Sequence, residues 1–227
     1  MEGLKKPAAV LFDWDGTLVD TLEGIRAAHD HVRVSFGQKP WTDAEFHEHI
    51  VWSARDLFPR LYGDQWEKAH ELFYGHVKEN HLRHLKPLPG ARDLLQLLRS
   101  LNIPAAVVSN KKHEYILKEV EHLGWQDFFF LVVGAGVAAR DKPAADPILW
   151  ALERAAQPFP PATVWFVGDT EADLKAAAAA GCPSILLTHG ADRQALVNAF
   201  APVIVERDCR AIVNILMKYE NIHNKAC

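Results

Sequence analysis

Apolar positions along the chain fall into short continuous runs rather than alternations. Residues 8–12, 105–108, 129–133, 164–167, 184–187 and 203–205 are each mostly apolar. Runs of this kind suit strands covered on both faces, as in a parallel sheet. Between them the apolar spacing changes to three and four. Leu94, Leu95, Leu97, Leu98 and Leu101 precede the second run, and Ile116, Val120 and Leu123 follow it and stop at Gly124. Leu149, Ala151, Leu152 and Ala155 precede the run at 164–167; Leu174 and an alanine tract follow it, ending at Gly181. These stretches predict helices, several closed by a glycine. Strand–helix alternation predicts an α/β fold with a doubly wound, Rossmann-like parallel sheet.

One stretch breaks the alternation. From residue 21 to about 85 there is no buried-strand pattern. Leu22, Ile25, Val32 and Phe36 keep helical spacing up to Gly37. Thr42-Asp-Ala-Glu45 reads as a capping box that opens a second helix. Asp64 is expected to cap a third, with Trp66, Ala69, Phe73 and Val77 on one face. Lys86-Pro-Leu-Pro-Gly90 reads as the return linker. The expected organisation is an α/β core of residues 1–20 and 86–227, with a small α-helical cap domain at 21–85 inserted after the first strand.

Composition adds bounds. The chain has 227 residues, 49% hydrophobic and 24% charged, near the globular average. That excludes a disordered chain, a collagen and a coiled coil. The net charge of −4 supplies no broad basic field for nucleic acid or an anionic membrane. Three scattered cysteines, Cys182, Cys209 and Cys227, form no C-x-x-C pair, which fits a reducing compartment. The first residues turn acidic before a signal-peptide core develops, and no apolar run nears the ~20 residues of a membrane span. The expectation is a soluble, cytoplasmic protein, monomer or homodimer, without nucleic-acid or membrane partners.

Four polar features stand at the ends of expected strands, where open parallel sheets bind ligands. The first is Asp13-Trp-Asp15-Gly16-Thr17. In extended backbone, positions i and i+2 point the same way, so both carboxylates face one reacting centre. One suits a nucleophile and the other a general acid and base. Like charges so close need a shared proton or a hard cation such as Mg2+. By chance, D-x-D-G-T arises in about one chain of this length in 500. Trp14, between them, points the other way. The second feature is Ser109-Asn110-Lys111, whose hydroxyl, amide and following helix N-terminus suit phosphate oxygens; alone it is an ordinary helix cap. The third is Lys142, before Pro143, a cation able to neutralise phosphoryl oxygens, though a lone lysine is commonly a surface charge. The fourth is Asp169, with Asp173 one helical turn later; Asp169 can complete a metal site with Asp13, or simply cap a helix.

In this order the four features resemble the motifs of the haloacid dehalogenase superfamily, and the resemblance covers essentially the whole chain. The helical insert is similar to that family's mobile cap. The resemblance implies that Asp13 is the nucleophile and forms an aspartyl-phosphate, and that Asp15 protonates the leaving alcohol and then activates water. It implies a Mg2+ site made of the Asp13 carboxylate, the Asp15 backbone carbonyl and Asp169. Ser109, Asn110 and Lys142 would hold the phosphoryl group, and Asp173 would orient Lys142 or a metal-bound water. The stretch 51–59 resembles the specificity loop of phosphoglycolate phosphatase-like members, in which Arg55 would read an anionic group of the substrate. The implied activity is hydrolysis of a small phosphorylated metabolite, phosphoglycolate-like or a sugar phosphate. Two alternatives stay open: a phosphomutase of the β-phosphoglucomutase type, and a non-catalytic phosphate-binding or signalling module.

Histidines cluster in the insert: His29, His31, His47, His49, His76, His81 and His84. His81 and His84 have helical spacing, but without a companion carboxylate or cysteine pattern they read as a solvated face. Trp41, Trp52 and Trp66 are expected to pack a small cap core.

Overall fold

The computed structural model describes residues 5–83 and 85–224; His84 and Cys227 lie outside them. Among the described residues, six strands form one parallel sheet in the order β5-β4-β1-β6-β7-β8. They are β1 (Ala9–Phe12), β4 (Ala105–Lys112), β5 (Phe129–Ala135), β6 (Val164–Gly168), β7 (Ser184–Leu187) and β8 (Ile204–Glu206). All five pairings are parallel; Val10 lies opposite Ala105 on one side of β1 and opposite Trp165 on the other. The six apolar runs of the sequence are these strands.

Both faces of the sheet are covered, as continuous apolar runs require. Val10 and Phe12 of β1 pack with α5 (Ala91–Ser100), α6 (His113–His122) and α10 (Cys209–Asn224). Ala9 and Leu11 pack on the other face with α7 (Asp146–Glu153) and α8 (Glu171–Ala180). A further helix, α9 (Gln194–Phe200), joins β7 to β8. Strand order runs outward from β1 in both directions, so the carboxyl ends of β1, β4 and β6 flank the switch point where such sheets bind ligands.

The helical stretch leaves and returns through a two-stranded antiparallel ribbon, β2 (Val19–Asp20) against β3 (Lys86–Pro87). Between them lie α1 (Leu22–Ser35), α2 (Asp43–His49), α3 (Ala54–Tyr62) and α4 (Trp66–Asn80). Their apolar faces form a cluster apart from the sheet, with Tyr115 of α6 as the core's contribution. The Thr42–Glu45 capping box is present in both directions.

Two local expectations fail here. The stretch expected as a loop is largely α3, capped by the Ser53 side chain, which accepts from Asp56 N. Its apolar residues Leu57 and Phe58 are buried, and packing outweighs the interruption that Pro59 signals. Asp64 caps nothing: residues 63–65 make a 3-10 turn, and α4 starts at Trp66 after Gln65, without a side-chain cap bond.

Candidate active site

The site is built on the turn after β1. Asp13 N donates to Val167 O of β6 at 2.9 Å, which fixes Asp13 at the carboxyl edge of the sheet. The chain then folds tightly, with Leu18 N and Val19 N donating to Trp14 O. Gly16 has φ +80°, and a Cβ there would stand 2.6 Å from Asp169 Oδ2. The glycine is therefore required both by backbone conformation and by the approach of Asp169. Thr17 donates to Asp169 Oδ1 at 2.8 Å and ties the two motifs together.

On the β6 side, Gly168 allows the first turn of α8 to come close; a Cβ there would lie 2.4 Å from Asp173 Cβ. Asp173 is fully buried. It accepts from Asp169 N, Thr170 N and Thr170 Oγ1, and from Lys142 Nζ at 2.6 Å. Lys142 is buried, and its ammonium also lies 2.8 Å from Asp13 Oδ1. Burial alone would lower the Lys142 pKa, but Asp13 and Asp173 more than offset it and raise it.

One ammonium thus stands between two buried carboxylates, with a third, Asp169, close beside them. Oxygens of Asp13, Asp169 and Asp173 all lie within 4.8 Å of one another. Burial, opposed by Lys142, pushes Asp13 up to about 6, with Asp173 and Asp15 adding to the rise. Burial, with Asp173 and Asp13 nearby, holds Asp169 well above the usual carboxylate range. Asp173 is occupied by its four donors, whereas Asp13 Oδ1 has only the Lys142 ion pair. An excess of buried negative charge on oxygen donors fits a hard divalent cation held by Asp13 and Asp169.

Asp15 faces elsewhere. Its Oδ1 accepts from Thr21 Oγ1 and from Lys111 Nζ, the latter at 2.7 Å. Lys111 also reaches Glu119 at 2.9 Å. Glu119, fully buried on α6, accepts from Trp14 Nε1 at 2.7 Å and shares a 2.9 Å hydrogen bond with His81 Nδ1. Burial would raise the Glu119 pKa, but His81, Lys111 and Trp14 outweigh it and lower it. Burial would lower Lys111, and Asp15 and Glu119 raise it instead.

Asp13, Asp15, Ser109, Asn110, Lys142 and Asp169 all line one cavity, open to solvent, beneath α1 and α4. Ser109 is buried there, its Oγ accepting from Lys111 N. The Asn110 side chain is spent within the protein: Oδ1 accepts from Lys142 N at 2.9 Å, and Nδ2 donates to Lys142 O and to Val51 O. It is a brace for the Lys142 backbone, not a side chain free to meet phosphate. Arg55 is outside the cavity lining. Its guanidinium pairs with the buried Asp141 at 3.0 Å. His81, expected on a solvated face, is buried against Glu119. Trp14 does point away from the aspartates, into a cluster with Trp125 and Phe129.

Glu119 and Thr21 go unnoticed in the sequence, Thr17 and Lys111 stand there only as members of motifs, and His81 reads there as part of a solvated face. The one signal for Glu119 is its position: three residues after Ile116 and four before Leu123, on the apolar stripe of a helix.

The profile of the haloacid dehalogenase-like hydrolase family matches residues 10–187. A phosphoglycolate phosphatase of Chromobacterium violaceum is 32% identical over 196 residues, covering 82% of this chain and 87% of that protein. A phosphoglycolate phosphatase of Aquifex aeolicus is 31% identical over 182 residues, covering 80% of this chain and 84% of that one. A haloacid dehalogenase-like family hydrolase from Streptococcus pneumoniae superposes with a TM-score of 0.79 at 24% identity, over 91% of this chain and 97% of that one. The chain belongs to the haloacid dehalogenase-like hydrolase family, and within it is similar to the phosphoglycolate phosphatases.

Proposed function

We propose that the chain is a Mg2+-dependent phosphatase acting on a small phosphate monoester through an aspartyl-phosphate on Asp13. The observation that carries this reading is the pair of differently placed carboxylates in one cavity. Asp13 is set against Lys142 and Asp169, while Asp15 is held apart by Lys111 and Thr21. Two carboxylates in unlike environments suit two unlike roles.

An Asp13 carboxylate oxygen attacks phosphorus, and the bond from phosphorus to the ester oxygen breaks. Asp15 gives its proton to the departing alkoxide. Water then attacks the acyl-phosphate; Asp15 takes its proton, and Asp13 and inorganic phosphate are regenerated. Lys142 and Ser109 hold phosphoryl oxygens during both displacements, and Asp173 and Asn110 keep Lys142 in place. The Asp13 and Asp169 carboxylates and the Asp15 carbonyl would hold Mg2+, which would supply the positive charge that the acidic cluster and phosphoryl oxygens lack. The core, residues 1–20 and 86–227, carries this chemistry; the cap, 21–85, covers it and limits access to small esters. The relatives named phosphoglycolate phosphatases support a small organic phosphate as substrate. A cytoplasmic setting goes with a metabolite substrate and with the free, buried Cys182 and Cys209.

The test is phosphate release from a panel of small esters, with Mg2+ and with chelator, comparing wild type and Asp13→Asn. Metal-dependent release that falls by about a thousandfold or more in the variant is expected. Release that survives undiminished in Asp13→Asn sinks the reading.

A further inference from the structure

The cavity above Asp13 has a polar floor and an apolar roof. The floor is the carboxylates, Ser109 and Lys142; the roof is mainly Ile25, Ile50, Val51, Trp52, Phe73 and Val77, from α1, α4 and the segment leading into α3, with Tyr74, His76 and Asn80 of α4 as its polar members. Phosphate belongs on the floor. The roof therefore meets the rest of the ester.

Cations are present in the lining, but each is matched to a carboxylate of the protein. Lys142 serves Asp13 and Asp173, and Lys111 serves Asp15 and Glu119. Lys112 makes a half-exposed, weaker pair with Glu114 at 2.8 Å and stands over the Tyr74 ring. Among the described residues, no arginine lines the cavity. Arg55 is held outside by Asp141, and Arg60 is stacked on Trp52. The histidines bring no ready charge either. His29 is surrounded by Trp41, Phe46, Phe58 and Phe73, and burial holds its pKa down to about 3. His76 is lowered by burial and by His31. His81 is engaged by Glu119.

A second anionic group carried up from the phosphate would lose its water and find no uncommitted cation. An apolar group in the same place gains from leaving water and from contact with aromatic walls. We propose that the roof selects phosphate esters whose alcohol portion is uncharged and apolar, aromatic or branched aliphatic, over esters that carry a second anion. This rests on the phosphatase reading above and names the substrate class of that same site.

Benzyl phosphate and 2-phosphoglycolate make the comparison, since both are esters of primary alcohols and differ mainly in the group that meets the roof. With Mg2+ and wild-type protein, kcat/KM for benzyl phosphate should exceed that for phosphoglycolate by about tenfold or more, chiefly through KM. Trp52→Ala should cut that ratio by about fivefold. Equal values, or a preference for phosphoglycolate, overturn the inference. Calorimetric binding of both esters to Asp13→Asn separates this from the reading beneath it. Tight benzyl phosphate binding without wild-type turnover would leave the selection standing and remove the phosphatase. Phosphoglycolate binding as tightly as benzyl phosphate would remove the selection whatever the turnover, and no binding of either ester with no turnover would remove both.

Discussion

The Lys142 ammonium lies 2.8 Å from Asp13 and 2.6 Å from Asp173, and its side chain is only 2% exposed. Replacing it with methionine keeps much of the volume but leaves two buried carboxylates with no ammonium between them. Breaking a buried pair on one side commonly costs about 3–5 kcal/mol. Lys142→Met should lose stability on that order in denaturant titrations at pH 7, together with phosphate release. A variant as stable as wild type would show that water or a cation already neutralises the cluster. Asp13, Asp15 and Asp169 were visible in the sequence for a local reason: they leave the ends of β1 and β6, and Gly16 and Gly168 mark where backbone and carboxylate crowd together. Lys142, in the loop between β5 and α7, gained a role only through the family resemblance. Glu119 and Lys111 were not visible in that way. Their partners, Trp14 and Asp15, are about a hundred positions away, and only the tertiary fold shows that a charge on the apolar stripe of α6 is satisfied.

Glu119 joins separate elements. Trp14 comes from the turn after β1, Lys111 from the end of β4, and His81 from the turn that ends α4. The carboxylate therefore couples a helix of the insert to the lysine that holds Asp15. Glu119→Gln retains one acceptor oxygen but turns an amide group toward donors. The expected result is a loss of about 2–4 kcal/mol, read by thermal or chemical denaturation. A fall in kcat of about tenfold, with KM less affected, is expected as Lys111 loosens its hold on Asp15. Unchanged kcat in a destabilised variant would make Glu119 a packing residue only. At this scale periodicity revealed most elements, because helix and strand spacing are local. It missed α3, because the resemblance of 51–59 to a specificity loop implies a loop there, whereas Leu57 and Phe58 are buried on a helix. It also misplaced the start of α4, because the 3-10 turn at 63–65 uses Asp64 without making it a cap.

The molecule buries its apolar surface in clusters on the two faces of the sheet and in a separate one among α1–α4, and the cavity lies where that separate cluster meets the sheet's carboxyl edge. His29 is part of the separate cluster: it is buried, its Nδ1 has no hydrogen-bond partner, and four aromatic rings surround it. Burial, with the nearby charges of His49 and Arg33, holds its pKa at about 3, below the ordinary 6.5. The folded state therefore refuses a proton that the unfolded chain accepts. Stability present above pH 6.5 is lost as pH falls toward 3, by about 2 kcal/mol at pH 5. Asp13 acts in the opposite sense: its folded pKa is raised to about 6, so its contribution is present below about 4 and lost as pH rises through 6. The two partly cancel in wild type, and a comparison of variants isolates the histidine. His29→Gln cannot take up the proton, so the difference between its melting temperatures at pH 7 and pH 5 should be shifted toward greater acid tolerance by several degrees relative to wild type. An identical acid response in the two proteins would show that His29 is protonated in the folded state, with water or a carboxylate reaching it through the cavity.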